Sequence, residues 1–233
     1  DNLKKFILFM LPTNGGEALI VIAAILFQFA LPLTPVQVLW INMVTSSTLS
    51  LALAAEPTER GIMRPPPRPP SEALLSGFFV WRVVMVSLLM AAGALGLFLW
   101  ELERGTSLEH ARTLAINVVV VGEMLYLLCS RHVFSSVLNR EGLLGNSWVL
   151  LSIAVCAALQ LLYTYSTPLQ NLFGSTALGL QDWLRVLGAA SLVLIGSELE
   201  KWLIRRFRHS PTLARISALP SEIGQRPARD SRR

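Results

Sequence analysis

Apolar residues in this chain are gathered into long, nearly uninterrupted runs. They do not form stripes with a charged face opposite. Six runs stand out, at residues 6–29, 36–54, 83–100, 113–130, 148–165 and 183–204. Each is roughly 18–24 residues long, enough to cross about 30 Å of hydrocarbon as a helix. A membrane barrel strand would alternate polar and apolar residues, and these runs do not. The pattern therefore predicts an all-α membrane protein, a six-transmembrane-helix bundle within residues 1–208. The first two runs are joined by Ala30-Leu31-Pro32-Leu33-Thr34-Pro35, a tight hairpin with almost no exposed loop. Three stretches lie outside the runs. Residues 56–71 hold Pro65-Pro66-Pro67-Arg68-Pro69-Pro70 and predict a stiff, extended connector. Residues 139–147 form a short polar loop. Residues 209–233 are basic and poor in aromatics, which predicts a disordered cytoplasmic tail. No internal repeat is visible.

Composition agrees with the pattern. Of the 233 residues 53% are hydrophobic and only 15% are charged, too few charges to cover a soluble domain of this length. The net charge of +5 does not point to nucleic acid, because the basic residues sit between the runs and in the tail. In a membrane protein such clusters mark the cytoplasmic side. Lys4 and Lys5 precede the first run, and Arg60, Arg64, Arg68 and Arg82 follow the second. Arg131, His132 and Arg140 follow the fourth run, and Lys201, Arg205, Arg206 and Arg208 close the sixth. The opposite loops carry little net charge. Both termini are thus expected in the cytoplasm of an integral protein of the plasma membrane, with the lipid bilayer as first partner. Trp100, Trp148, Trp183 and Trp202 stand at run ends, where an aromatic belt places them. Cys129 and Cys156 both lie in apolar runs and form no metal or disulfide pattern. The chain opens on Asp1 without an initiator Met, which suggests a piece of a longer protein.

The polar residues inside the runs carry the candidate chemistry. Pro12-Thr13-Asn14-Gly15-Gly16-Glu17 interrupts the first run. Proline removes a backbone donor and the glycines permit unwinding, so a broken helix is expected there. A broken helix with a carboxylate at membrane depth points to an ion site. Asn14 and Glu17, three apart, share a helix face. The same spacing is that of a capping box, and the two roles are compatible. Asn42, Thr45 and Ser46 place three oxygen-bearing side chains on one face of the second run. They serve either as cation ligands or as hydrogen-bonding contacts between helices. Glu123 lies at mid-depth in the fourth run, and no run holds Lys or Arg at its centre. Two carboxylates without a protein counter-charge must be protonated or must bind cations. Oxygen donors of this kind suit hard cations such as calcium, sodium or potassium, and no His or Cys cluster favours zinc or copper. The remaining features have simpler expectations. Gln160 is a packing contact, Glu198 and Glu200 are interfacial, and Arg82 snorkels to the surface. Ala92 and Gly96 make a close helix contact.

Three strings resemble the P-type cation-transporting ATPases of the calcium-pump (P2) type. Asn2-Leu3-Lys4-Lys5-Phe6-Ile7, followed by Thr13-Asn14-Gly15-Gly16-Glu17, is similar to the start of that family's fifth membrane helix. Pro35-Val36-Gln37-Val38-Leu39-Trp40-Ile41-Asn42-Met43-Val44-Thr45 is similar to its sixth. Gly61-Ile62-Met63-Arg64-Pro65-Pro66 resembles the connector that follows. The strings cover roughly the first 70 residues, and the rest agrees in helix count and in Glu123. The resemblance implies the last six membrane helices of a cation pump. It implies that Asn14, Glu17, Asn42, Thr45 and Glu123 occupy cation-coordinating positions. The chain departs from the calcium pumps at Ser46, where they carry an aspartate shared between two calcium ions, so a one-ion or monovalent site is expected. The family's Asp-Lys-Thr-Gly phosphorylation motif, nucleotide-binding and actuator domains and first four helices do not occur here. The expected partners are therefore those missing N-terminal helices and cytoplasmic ATPase domains. Mg-ATP would be used by the parent protein only, and this chain alone would not be catalytic. In the parent, phosphorylation of an aspartate would switch the site between inward and outward access. The competing expectation is a free-standing six-helix cation channel or secondary carrier. Carriers often show two similar halves, and none is visible here.

Overall fold

A computed structural model describes residues 2–54, 77–131 and 146–208. The proline-rich connector, most of the polar loop and the basic tail expected from the sequence lie outside the described residues. Among the described residues the regular structure is entirely helical. Helix α1 spans Asn2–Leu26. Helix α2 spans Pro35–Thr45, and a π-helical turn, Ser46–Ser50, joins it to the short α3, Leu51–Ala54. Helices α4, Gly77–Glu103, and α5, Leu108–Arg131, follow. Helix α6 spans Ser147–Tyr165, α7 Thr167–Phe173 and α8 Leu180–Arg208.

The second predicted run is covered by α2, the π-turn and α3 in succession, and the other runs are overlapped by the long helices α1, α4, α5, α6 and α8. Four of them, over Lys5–Leu26, Gly77–Glu103, Leu108–Arg131 and Ser147–Tyr165, are long and apolar enough to cross a membrane. Helix α5 is the centre of the bundle. Of its most apolar window 83% is buried inside the chain, against 33–44% for the other three. It packs on α8 and α4, and α4 in turn packs on α1. Large apolar side chains such as Leu26, Phe27, Leu39 and Trp148 stay exposed. In water such surface would be a liability, whereas in hydrocarbon it is what a helix presents to lipid.

Several expectations are corrected. The first run does not break at Pro12, because α1 continues through it to Leu26. The backbone oxygen that proline leaves without its donor is that of Leu8, and Tyr126 Oη of α5 donates to it at 3.0 Å. Helix α1 also ends three residues before the predicted Phe29. Phe29 N donates to Ala24 O at 3.2 Å, around Gln28 at φ 55° in the left-handed region. Helix α2 then opens on Thr34, whose hydroxyl accepts from Gln37 N while Gln37 Oε1 accepts from Thr34 N. The close contact on α4 is made at Gly93 rather than at Ala92 and Gly96, which are exposed. A Cβ built on Gly93 would lie 3.0 Å from Ala189 O of α8, whereas one on Gly96 would meet nothing.

The charged residues near the helix ends are also differently placed. Arg82 does not snorkel to the surface: it and Glu200 are buried between α4 and α8, only 2% and 6% exposed. Arg82 Nε and Nη2 both reach Glu200 Oε2 at 2.8 Å, tying α4 to α8. Lys201, also buried, donates to Cys129 O at 3.0 Å and pairs with Glu198 at 2.8 Å. At the other end of the bundle Arg185 of α8 bridges the buried Glu101 at 2.9 Å and Asp182 at 3.1 Å.

Candidate cation site between α1, α2 and α5

The tight connection between α1 and α2 folds the two helices back on each other. That brings Asn42 against Glu17. Asn42 Nδ2 donates to Glu17 Oε2 at 2.6 Å and to Val38 O at 3.1 Å, which fixes the amide with its nitrogen toward the carboxylate. Glu17 is 5% exposed, and its other oxygen, Oε1, has no hydrogen-bond partner among the described residues. From α5, Glu123 enters the same region at 1% exposure, its Oε2 likewise without a partner among the described residues. The buried Thr45 hydroxyl of α2 lies close enough to hydrogen-bond the Glu123 carboxyl. Ser46 is half-buried and stands at the first position of the π-turn.

Asn14 is the member the described structure does not bring in. It is exposed, whereas Glu17 on the same helix is buried, so the three-residue spacing splits across the edge of that face. Among the described residues neither Glu17 nor Glu123 forms an ion pair. No group of three His, Cys, Asp or Glu side chains able to hold a metal is found there either. What the chain assembles is therefore two carboxylates supplemented by neutral oxygens. Such a set can coordinate a hard cation and has nothing to offer a soft one.

Two features of the surroundings went beyond the expectations from sequence. The first is the π-turn beginning at Ser46. The Thr48 hydroxyl bonds Val44 O at 2.7 Å, and Ser50 Oγ reaches Met10 Sδ of α1 at 2.9 Å. The cluster Ser46-Ser47-Thr48 was its only local signal, since hydroxyls compete for helix carbonyls. The second is a buried polar chain behind the site. Trp40 Nε1 donates to Gln160 Oε1 at 3.3 Å, and Gln160 Nε2 donates to Asn117 Oδ1 at 3.1 Å. Asn117 Nδ2 then donates to Thr113 O at 2.8 Å. Gln160 thus links α2, α5 and α6 and is more than a packing contact. An open groove of about 310 Å³ beside the π-turn, lined by Ser47, Thr48, Ala52, Trp148 and Leu151 among others, is apolar and holds neither carboxylate.

A family model described as cation transporting ATPase, C-terminus, matches residues 30–203. The chain belongs to that family. It is 42% identical over 211 residues to a probable cation-transporting ATPase F of Mycobacterium tuberculosis, covering 91% of this chain and 23% of that protein. It is 35% identical to the cation-transporting ATPase pma1 of Synechocystis, over 78% of this chain and 21% of that one. It is 30% identical to a calcium-transporting ATPase of Bacillus subtilis, over 86% of this chain and 23% of that one. The chain therefore spans about a quarter of the length of these relatives. It is the C-terminal membrane domain of a P-type cation-transporting ATPase, an all-α integral membrane bundle. The α1 segment with Glu17 precedes the residues that the family model matches.

Proposed function

We propose that this domain supplies part of the cation path of an ATP-driven P-type pump, with Glu17, Glu123, Asn42, Thr45 and Ser46 facing the ion. Asn14 joins them from the exposed edge of α1, where the earlier membrane helices of the same pump would complete the site. The observation that carries this reading is the pair of buried carboxylates on α1 and α5, each with an oxygen that has no partner among the described residues and neither with a basic side chain beside it there. Burying such groups is costly unless a ligand or a proton compensates them, and a transported cation does so. The relatives are named as cation or calcium ATPases, which supports a cation as cargo. The finer reading is a one-ion or monovalent site, because Ser46 offers a neutral oxygen and cannot bridge two cations. ATP hydrolysis with Mg²⁺ belongs to the cytoplasmic domains of the parent. Six crossings with both ends in the cytoplasm, in the plasma membrane, complete the proposal.

The test uses the full-length pump. Cation activation of ATPase activity is titrated with calcium, sodium and potassium in turn. Glu17→Gln keeps shape and removes charge. Losing an outer-shell contact costs roughly 10–100-fold in metal affinity, and losing a direct ligand should cost at least that much. The exposed Glu103→Gln should leave activation unchanged. If Glu17→Gln matches Glu103→Gln in its activation curve, Glu17 has no ligand role.

A further inference from the structure

Pro12 stands one and a half turns before Glu17, and its ring nitrogen cannot donate to Leu8 O. A helix missing that bond commonly kinks by more than about 20°. Here the gap is filled from another helix. Tyr126 Oη donates to Leu8 O at 3.0 Å, and its ring stacks on Phe9 at 6.1 Å between centroids and 14° between planes. Tyr126 is only 1% exposed. On the far side of the proline, Ser87 Oγ of α4 donates to Pro12 O at 2.9 Å. Tyr126 also lies three residues after Glu123, so both project from one face of α5.

We infer that Tyr126 is a positioning residue. Its hydroxyl replaces the backbone donor that Pro12 lacks, and so sets the spacing between Glu17 on α1 and Glu123 on α5. This rests on the reading of Glu17 as a cation ligand. Geometry gives the lever its size. Five residues of helix rise about 7.5 Å, so a kink of about 20° at Pro12 swings the Glu17 backbone by roughly 2.5–3 Å. Metal–ligand distances tolerate only about 0.2 Å.

The experiment is a double-mutant cycle in the full-length pump, with Tyr126→Phe, Pro12→Ala and the pair. Pro12→Ala restores an N–H for Leu8 O and makes the tyrosine hydroxyl redundant. Two quantities are read. One is the concentration of calcium, sodium or potassium, whichever activates the unmodified pump, that gives half-maximal ATPase activity, together with the maximal rate. The other is the melting temperature of the detergent-solubilised protein. Tyr126→Phe should raise the half-activating concentration roughly three- to tenfold, the reach of one hydrogen bond, with the maximal rate changed less than about twofold. In the Pro12→Ala background the same change should shift it less than about 1.5-fold. Equal shifts in both backgrounds, or none from Tyr126→Phe alone, overturn the proposal. So does coupling seen in melting temperature but absent from cation activation while Glu17→Gln is still impaired. If Glu17→Gln itself has no effect, the ligand reading has failed, and the melting-temperature cycle still decides whether Tyr126 substitutes for the missing donor.

Discussion

The pair Arg82–Glu200 offers the sharpest test of how this bundle is held together. Both side chains are buried, and two guanidinium nitrogens converge on a single carboxylate oxygen at 2.8 Å. Glu200 Oε1 has no hydrogen-bond partner among the described residues. A buried pair of this kind is weak evidence of net stabilisation, because desolvation offsets most of the attraction. Breaking it is a different matter. Arg82→Leu leaves a carboxylate at 6% exposure without its counter-charge, and such single removals cost about 3–5 kcal/mol. The guanidinium also stacks 4.9 Å over the Phe78 ring, and the same substitution removes that stacking. Glu200→Gln keeps a hydrogen-bond acceptor for Arg82 and should cost less. The double substitution Arg82→Leu with Glu200→Met removes both charges at similar volume and should recover most of the loss.

The assay is reversible unfolding in mixed micelles, followed by helix content, for the wild type, Arg82→Leu, Glu200→Gln, Glu200→Met and the double variant, the cycle being closed by Arg82→Leu and Glu200→Met as its two singles. The signature is non-additivity. The double variant should lie at least about 2 kcal/mol above the sum of the singles, within the range found for contacting residues. If Arg82→Leu costs less than about 1 kcal/mol, the pair behaves as a solvated surface bridge. The burial argument is then refuted.

Two further predictions follow. Ser46→Asp should raise the number of calcium ions bound per phosphorylatable full-length pump, counted with radioactive calcium, above the one or none expected of the unmodified protein. Unit charges 4 Å apart repel by about 4 kcal/mol even at an effective dielectric of 20, more for divalent ions, and a serine does nothing to offset it; two calcium ions on the unmodified pump would contradict this. For topology, single cysteines at the exposed positions Ser107, Asn171 and Ser147 should react with an impermeant thiol reagent from outside at the first two only, and outside labelling at Ser147 would rule out cytoplasmic ends.

What the sequence made legible was the all-helical, apolar character of the chain, because a run of apolar residues is a local property. It also made legible which polar side chains interrupt such runs. Glu17, Asn42, Thr45 and Glu123 were singled out by type and depth, and the fold draws them to one region. What it left open was direction around each helix. Helix α4 is apolar on nearly all sides, so no stripe marks its inward face. Ala92 and Gly96 were a reasonable small-residue pair, yet the contact is at Gly93, one position and about 100° away from Ala92. On such a helix only the neighbours decide the face, and they are set by the whole bundle.

The remaining misreadings share one cause, which is that the compensating group lies far along the chain. Proline in a run predicts a break when the helix is considered alone, because the lost donor is local and its replacement is not. The replacement for Pro12 comes from Tyr126, and the partner of Arg82 comes from Glu200, each 118 residues from what it contacts. Gln160 looked solitary because Trp40 and Asn117 are 120 and 43 residues away. In a medium without water every such group must find a partner inside the protein. A polar or helix-breaking residue within an apolar run therefore announces a tertiary contact without naming it. Among the described residues Glu17 Oε1 and Glu123 Oε2 find no hydrogen-bond partner, and the same holds for Asn146 Nδ2, Tyr163 Oη, Ser197 Oγ and Glu200 Oε1. An unpartnered atom alone therefore marks no ion site. What sets the two glutamates apart is charge: Glu200 has Arg82 beside it, whereas neither Glu17 nor Glu123 has a basic partner among the described residues. That difference is why the proposed function gives the transported cation as the partner of these two carboxylates and not of the other unpartnered groups.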